Sequence, residues 1–246
     1  MLNSQSLWMT NIHYQNDIEE YNYAFKLTQK VLDKDYPGVP YASTSIPEEI
    51  SKVYTLSLTE KNDLLSQWRG YCPHGGFSYS FKNDVLEKTI QAHELELVEC
   101  IYDEDVQKEY IIKHIIGISP QDWAVLRTQP ESYQHYGVTR AWRAMGMGIA
   151  QHAARFKHPA FDAEKEWRLV KTFRSGIDDE TLINFRAGKD LLIPYLTIPL
   201  VTDGKKYPLA SVKVGPGPRQ DLAKQSCKLF LQSDGVSESN IPYRNW

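Results

Sequence analysis

Two kinds of hydrophobic periodicity follow one another along this chain of 246 residues. Segments that alternate apolar and polar residues, as strands do, occur near both ends, while segments with a helical period lie between and after them. Strands are predicted over 7–12, 53–58, 77–81, 95–102, 166–173, 182–185, 191–200 and 209–214. Helices are predicted over 17–32, around Leu64, Leu65 and Trp68, and over 84–93, 105–116, 140–156 and 219–231. This order predicts an α+β fold with a mixed, mainly antiparallel sheet flanked by helices, and it disfavours a doubly wound nucleotide fold.

The composition is that of an ordinary globular chain. Apolar residues make up 41%, and 28 Lys+Arg against 31 Asp+Glu give a net charge of −3, which excludes a disordered chain. We find no repeat, low-complexity tract or long linker, so residues 1–246 are predicted to form a single domain.

The same features limit location and partners. The chain has no apolar run of the length that spans a membrane, and its first residues do not form a secretory signal. Three scattered cysteines argue against a disulfide framework. The expected location is the cytoplasm, without a membrane, and the slightly acidic balance makes nucleic acid an unfavoured partner.

A first group of candidate residues lies at the junction of the first strand and helix, namely Tyr14, Asn16 and Asp17. Asn and Asp are the residue types that cap a helix N-terminus. The alternative is a ligand contact at the positive end of the helix.

A second group lies in the segment 65–81, where Trp68, Arg69, Tyr71, Ser78 and Tyr79 surround a Gly75-Gly76 turn. A glycine pair permits close approach of a phosphate or a ring, and an arginine offers a planar fork for phosphate or carboxylate. The alternative is a tight turn whose arginine pairs with an acidic neighbour.

A third group is Glu164, Glu166 and Arg168. On a strand, residues two apart share a face, so the two carboxylates would meet. Such a pair can bind a ribose diol or act as a general base. The alternative is a solvated charge cluster in which the glutamates pair with Arg168 and Lys171.

Several familiar signatures are missing, including GxxxxGK[ST], GxGxxG, HExxH, GxSxG and CxxC. The histidines are scattered, so no metal site is predicted. A nuclease is a minor alternative, since carboxylates are present without the spacing that metal ions need.

Several short motifs occur in an order that resembles a large, mostly bacterial family of unknown function, domain of unknown function 2971. They are Leu7-Trp8, Asn16-Asp17, the strand Tyr54–Leu58 with Ser57, Trp68-Arg69-Gly70-Tyr71 followed by Gly76, Lys157-His158-Pro159, Glu164-Lys165-Glu166-Trp167-Arg168, Gly215-Pro216 and Ile241–Arg244. The similarity spans almost the entire chain, and Arg69 stands where relatives often carry histidine. This family supplies no established activity.

The order of Arg69, Ser78-x-Ser80 and Glu164-x-Glu166 is similar to that of the arginine-type ADP-ribosyltransferases. The resemblance implies NAD as a substrate, with no metal. Arg69 would hold phosphate or ribose, and Glu166 would stabilise an oxocarbenium-like transition state through the ribose 2′-OH. Glu164 would orient the acceptor, while Tyr71 or Tyr79 would stack on nicotinamide. Only eight residues separate Arg69 from Ser78, fewer than in that family.

Two functions therefore stay open. The first is an NAD-consuming transferase, or a toxin of that kind in stress or phage defence. The second is a non-catalytic module of a defence system that binds a nucleotide or a protein partner from the same operon. A transferase requires an arginine, a serine and Glu166 to converge in one cleft.

Overall fold

A computed structural model describes residues 5–14, 18–38, 53–129, 148–149, 151–173, 178–202, 204 and 208–242 of the chain. The helices that it describes include none with the length and apolar character needed to cross a membrane.

Six of the strands form a wholly antiparallel sheet in the order β4-β5-β2-β1-β7-β6. The strands are β1 Ser6–Asn11, β2 Val53–Thr59, β4 Glu96–Glu99, β5 Glu166–Thr172, β6 Ile183–Ala187 and β7 Leu192–Pro199. The centre of this sheet therefore joins strands from the beginning and the middle of the chain, with β2 beside β5.

The other three described strands form a second sheet in the order β3-β8-β9. They are β3 Phe77–Phe81, β8 Leu209–Val214 and β9 Val236–Glu238. β3 and β8 are antiparallel, whereas β8 and β9 are parallel. The α+β class with mainly antiparallel strands is confirmed, and these strands divide into two sheets where the sequence predicted one.

The described helices surround these sheets. They are α1 Ile18–Asp35, α2 Leu65–Tyr71, α3 Asn83–Ala92, α4 Glu104–Tyr110, α5 Pro120–Leu126 and α6 Gln220–Leu231. α4 begins at Asp103, whose carboxylate accepts hydrogen bonds from the backbone N–H groups of Asp105 and Val106. It continues directly into a π-helical turn, Ile111–Ile116.

Apolar side chains cover both faces of the large sheet. On one face, Val53 and Val170 pack with residues of α1, the π-helical turn and the segment 149–156. On the other face, Leu7, Met9 and Leu169 pack with α3. A third cluster lies between the small sheet and α6. Hydroxyl and charged residues at the end of β2 and the start of β5 thus continue the first face beyond its apolar core.

Most predicted elements are confirmed within a few residues. α5 and β9 were missed, although Ser119 caps α5 and Pro120 occupies its first turn. The predicted strand 95–102 is shorter, at Glu96–Glu99. Much of the predicted helix 140–156 falls on residues 140–147 and 150, outside the described residues, and its end is a 3-10 turn, Ala153–Arg155. Asn16 and Asp17 also lie outside the described residues.

Candidate functional site

A cavity of about 180 Å³ lies where the end of β2, the start of β5 and α2 meet. The described residues that line it are Ser57, Leu58, Thr59, Gln67, Tyr71, Glu164 and Glu166. Residues from three separate parts of the chain thus form one polar cleft.

The register between β2 and β5 aligns hydroxyl groups with charged groups. Ser57 lies opposite Arg168 and Thr59 lies opposite Glu166. Directly opposed residues of antiparallel strands project to the same face. The hydroxyl-bearing strand beside the two glutamates is therefore β2, and not β3, which carries Ser78 and Ser80 in the small sheet.

A tight turn, rather than a continuous strand, brings Glu164 and Glu166 to the same side. Glu164 ends a 3-10 turn that begins at Pro159, and Lys165 then adopts a left-handed conformation with φ of 44°. Its backbone carbonyl accepts a hydrogen bond from the N–H of Glu60, at 3.2 Å. A left-handed conformation is costly for a residue with a Cβ, and such residues often occur where a site needs particular geometry.

Lys157 joins the two carboxylates. Its Nζ lies 2.6 Å from Oε2 of Glu164 and also contacts Oε2 of Glu166. The other oxygen of Glu166, Oε1, accepts a hydrogen bond of 2.6 Å from Nε of Arg168. Glu166, Lys157 and Arg168 are all buried. Two carboxylates and two cations thus form a compact cluster with no formal net charge.

Buried polar groups hold this cluster in place. The side-chain amide of Gln107 is fully buried and donates hydrogen bonds to the carbonyl oxygens of Ile101 and Lys157. The backbone N–H of Glu166 donates to the hydroxyl of Tyr102 at 2.8 Å. α4 therefore helps to fix the backbone of Lys157, and Tyr102, three residues after β4, helps to fix the backbone of Glu166.

The charges of the cluster shift its pKa values. Burial raises the pKa of Glu166, but Arg168 and Lys157 favour the carboxylate more strongly, so the net pKa lies below its ordinary value. Burial, together with the nearby Cys100 and Glu166, raises the pKa of Tyr102 to about 12 despite its hydrogen bond from the Glu166 backbone. At neutral pH, Glu166 is an anion and Tyr102 a neutral phenol.

α2 forms the opposite wall of the cleft. Gln67 and Tyr71 are four residues apart and share one face of the helix, whereas Arg69 lies between them and projects away from that face. The described cleft-lining residues accordingly include Gln67 and Tyr71 but not Arg69.

Trp68 anchors α2 to the small sheet. Its indole N–H donates a 2.8 Å hydrogen bond to Oδ1 of Asp63, which also accepts one of 2.6 Å from the hydroxyl of Ser239. Lys213 lies 3.7 Å from the same carboxylate. A Cβ on Gly215 would lie 2.7 Å from the Trp68 ring, so that position needs glycine. Trp68 is thus a buried structural residue of the site wall.

The Gly75-Gly76 turn is likewise occupied by the chain itself. A Cβ on Gly76 would lie 2.6 Å from Sγ of Cys72, and Gly75 has a φ of 91°. The two glycines therefore allow this turn to close tightly. The expected approach of a phosphate to these two glycines stays a prediction.

The predicted site residues therefore divide into groups. Ser57, Tyr71, Glu164 and Glu166 line the cleft. Arg168 is not among the described lining residues, but its guanidinium forms an ion pair with the carboxylate of Glu166. Trp68 and Tyr79 pack in the interior, Tyr79 in the cluster of the small sheet. Tyr14, Arg69 and Ser78 are not among the described lining residues. The interpretation that Lys171 pairs with this cluster is wrong, since Lys171 contacts His93 and Glu94 instead.

Lys157, Gln67 and Thr59 were missed. Thr59 continues the alternation that contains Ser57, and Gln67 lies four residues before Tyr71, so both had a sequence signal. Lys157 belongs to the Lys157-His158-Pro159 motif, but its contact with the two glutamates had no sequence signal, because its position depends on Gln107 in a distant helix.

Among the described residues, no group of three or more histidine, cysteine, aspartate or glutamate side chains could hold a metal ion. The described lining of the cleft presents a carboxylate pair, two hydroxyls and an exposed aromatic ring.

A comparison with protein families gives a match to part of the chain. The family described as Protein of unknown function (DUF2971) matches residues 67–169, which include most of α2, all of β3, α3 and β4, and the start of β5. Searches of curated proteins and of solved structures each found no significant match. The expected similarity to this family of unknown function is therefore found over residues 67–169, which carry both the wall of the cleft at α2 and the Glu164-x-Glu166 turn.

Proposed function

We propose that the cleft binds a nucleotide through its ribose and that the protein is an NAD-consuming, ADP-ribosyltransferase-like enzyme. The observation that carries this proposal is the position of Glu164-x-Glu166 at the start of β5, directly beside the hydroxyl-bearing end of β2. The similarity in sequence to arginine-type ADP-ribosyltransferases implies such a pairing of a serine strand with a Glu-x-Glu segment. In this proposal, Ser57 and Thr59 take the part that the resemblance implied for Ser78 and Ser80.

The residues of the cleft have distinct parts in this proposal. Glu166 stabilises positive charge that develops on the ribose as the bond to nicotinamide breaks, with the electron pair leaving on the nicotinamide nitrogen. Glu164 accepts the proton of the incoming acceptor group. Its Oε1 has no hydrogen-bond partner among the described residues, and its side chain is 15% exposed. Tyr71, which is 61% exposed, offers a ring face for stacking.

The volume of the cleft is large enough for part of a dinucleotide but not for all of it. Pockets that enclose a whole drug-sized ligand have volumes of roughly 300–1,000 Å³. The cavity here is about 180 Å³. It suits a nicotinamide-ribose end, with the rest of the dinucleotide along the surface. The proposal gives Arg69 no contact in the cleft.

A second function, a non-catalytic nucleotide-binding module, is favoured by one feature of Glu166. Both of its carboxylate oxygens are already engaged, one by Arg168 and one by Lys157. A carboxylate whose two oxygens are both paired can hold the neighbouring side chains of the cleft in place without taking part in catalysis.

Nicotinamide release and NAD affinity test both functions. The experiment uses the wild type, Glu166→Gln, Glu164→Gln and the control Glu99→Gln, whose exposed residue lies opposite Trp167 and so on the other face of the sheet from Glu166. We expect nicotinamide release to fall by about 100-fold in Glu166→Gln, as when one preorganised electrostatic partner is removed. The control should match the wild type.

The outcomes separate the two functions. Saturable NAD binding without nicotinamide release in the wild type would support the binding module and overturn the transferase. If NAD, ADP-ribose and ATP all fail to bind, as measured by calorimetry and thermal shift, both functions are overturned.

A further inference from the structure

The outer strand of the large sheet, β6, presents an open edge. It ends the strand order and pairs only with β7 among the described strands. Its residues from Asn184 to Ala187 are exposed. Open edges carry unpaired backbone donors and acceptors and are templates for pairing with another chain.

Apolar side chains accompany this edge. Phe185 is 63% exposed and Leu192 is 64% exposed, and Leu182 and Leu191 are exposed beside them. Phe185 and Leu192 lie on the same face, because Ala187 opposes Leu192 and Phe185 opposes Pro194 two residues further along β7. Natural edge strands are usually protected by charge, proline or a bulge. On β6 only Arg186 carries a charge.

We propose that β6 pairs antiparallel with β6 of a second copy of this chain, about a two-fold axis at Phe185. This register opposes Phe185 to its own copy and Ile183 to Ala187, all on the apolar face. On the other face it opposes Asn184 to Arg186, whose guanidinium donates to the amide oxygen. All five residues of β6 are then paired. Apolar side chains oppose apolar side chains on one face, and polar side chains oppose polar side chains on the other.

Neighbouring registers are less favourable. An axis at Arg186 places two guanidinium groups opposite each other, and like charges in that position destabilise a strand pair. An axis at Asn184 sets Arg186 against Leu182, which belongs to a 3-10 turn, Glu180–Leu182, and cannot continue the ladder. Charge and strand length therefore select the axis at Phe185.

The interface is short, so the dimer should depend on concentration. Stable interfaces usually bury about 1,200 Å² or more in total. A pairing of two five-residue strands is a small interface by that standard. In the sheet, β1 and β7 lie between β6 and the cleft strand β2, and the proposal does not rest on the proposed function.

Sedimentation equilibrium of the full chain across a wide concentration range tests the proposal. The wild type should show a reversible monomer–dimer equilibrium, which Phe185→Asp weakens by at least tenfold in Kd. The matched control is Leu229→Asp on α6, which changes a residue that is 79% exposed and remote from β6. A wild type that stays monomeric, a dimer unaffected by Phe185→Asp, or one weakened equally by Leu229→Asp would each overturn the proposal.

Disulfide trapping tests the register without relying on Phe185 as an anchor. In a Cys72→Ser background, Phe185→Cys should form an intermolecular disulfide on oxidation, since directly opposed residues lie about 4.5–5.5 Å apart between Cα atoms. Asn184→Cys should not, because its copy lies diagonally across the pair, beyond about 7 Å. Cross-linking of Asn184→Cys alone would contradict the axis, and open-ended polymers through the β4 edge would contradict the two-fold pairing.

Discussion

The segment 68–81 and the segment 157–168 look equally rich in chemistry but use their residues differently. In the first, Trp68 and the glycines serve packing, with the indole held by Asp63 and the ring seated on Gly215. In the second, Lys157, Glu164 and Glu166 form a charged cluster at the wall of a cleft. The dense run of aromatic and glycine residues thus packs α2 and the following turn tightly against the small sheet. The carboxylates beside a hydroxyl-bearing strand form the candidate site.

The two segments nevertheless depend on each other. α2 is attached to the small sheet through Trp68, and the adjacent face of the helix presents Gln67 and Tyr71 to the cleft. The first segment therefore positions one wall, and the second supplies the charges on the other. Variants in the first should change stability, and variants in the second should change both stability and ligand chemistry.

Trp68→Ala should have the largest effect on stability. Removing a buried indole leaves a cavity against Gly215 and removes one of the hydrogen bonds that Asp63 accepts, which together cost about 3–5 kcal/mol. Urea denaturation followed by circular dichroism measures this loss. Arg69→Ala, at the next residue, is exposed and should change the free energy of unfolding by less than about 0.5 kcal/mol. Equal effects of the two changes would show that Trp68 does not anchor α2.

Glu166→Gln should have the second-largest effect on the free energy of unfolding. It leaves Lys157 and Arg168 buried with one carboxylate fewer, and breaking a buried ion pair from one side costs about 3 kcal/mol. The double variant Lys157→Met, Glu166→Gln should recover part of this loss, because one uncompensated cation is also removed. Chemical denaturation of the four proteins forms a double-mutant cycle. Additive effects would mean that the two residues are not coupled.

Much of the fold could be predicted because it follows from local pattern. The alternation in β2 and the apolar face of α6 are visible in the sequence, and the cap at Asp103 follows a standard rule. The division into two sheets could not be predicted, since strand neighbours depend on long-range packing. β9 has only three residues and pairs in parallel with β8, so it leaves almost no pattern.

The candidate site could be predicted only in part for the same reason. Glu164 and Glu166 were found because their spacing suggested a carboxylate pair. The serine strand was assigned to Ser78 from linear order, whereas the strand beside β5 is β2 with Ser57. Lys157 reaches the carboxylates through a backbone held by Gln107, a contact across fifty residues of sequence that no local motif reports.

Gly76→Ala should have a smaller effect. A methyl group there would lie 2.6 Å from Sγ of Cys72, and overpacking of this kind costs about 2 kcal/mol. Removing the sulfur in Cys72→Ala, Gly76→Ala should recover part of the loss, as measured by thermal or urea unfolding, because the Cβ of residue 72 stays 3.0 Å from the new methyl group. NAD affinity should be unchanged in both. A loss of affinity without a loss of stability would instead indicate that the glycine turn contacts ligand.

The pH dependence of stability should distinguish Glu166 from an exposed glutamate. Its folded pKa lies below the ordinary value of 4.5, so its ion pairs contribute fully above that pH and are lost as pH falls through the lower folded pKa. The difference in unfolding free energy between the wild type and Glu166→Gln should therefore shrink as pH falls from 7 toward 3. Glu99→Gln should follow the wild type throughout. A constant difference across this range would contradict the assigned ion pairs.

Tyr71→Ala should have the smallest effect on stability and a selective effect on binding. Because the ring is largely exposed, the free energy of unfolding should change by less than about 0.5 kcal/mol. If the ring stacks on a ligand, its loss weakens NAD binding by about tenfold, the equivalent of roughly 1.4 kcal/mol. Ser78→Ala, outside the described lining of the cleft, should alter neither quantity. Calorimetric titration with NAD makes the comparison. A loss of NAD affinity in Ser78→Ala but not in Tyr71→Ala would indicate that the ligand binds at the glycine turn and not in the cleft.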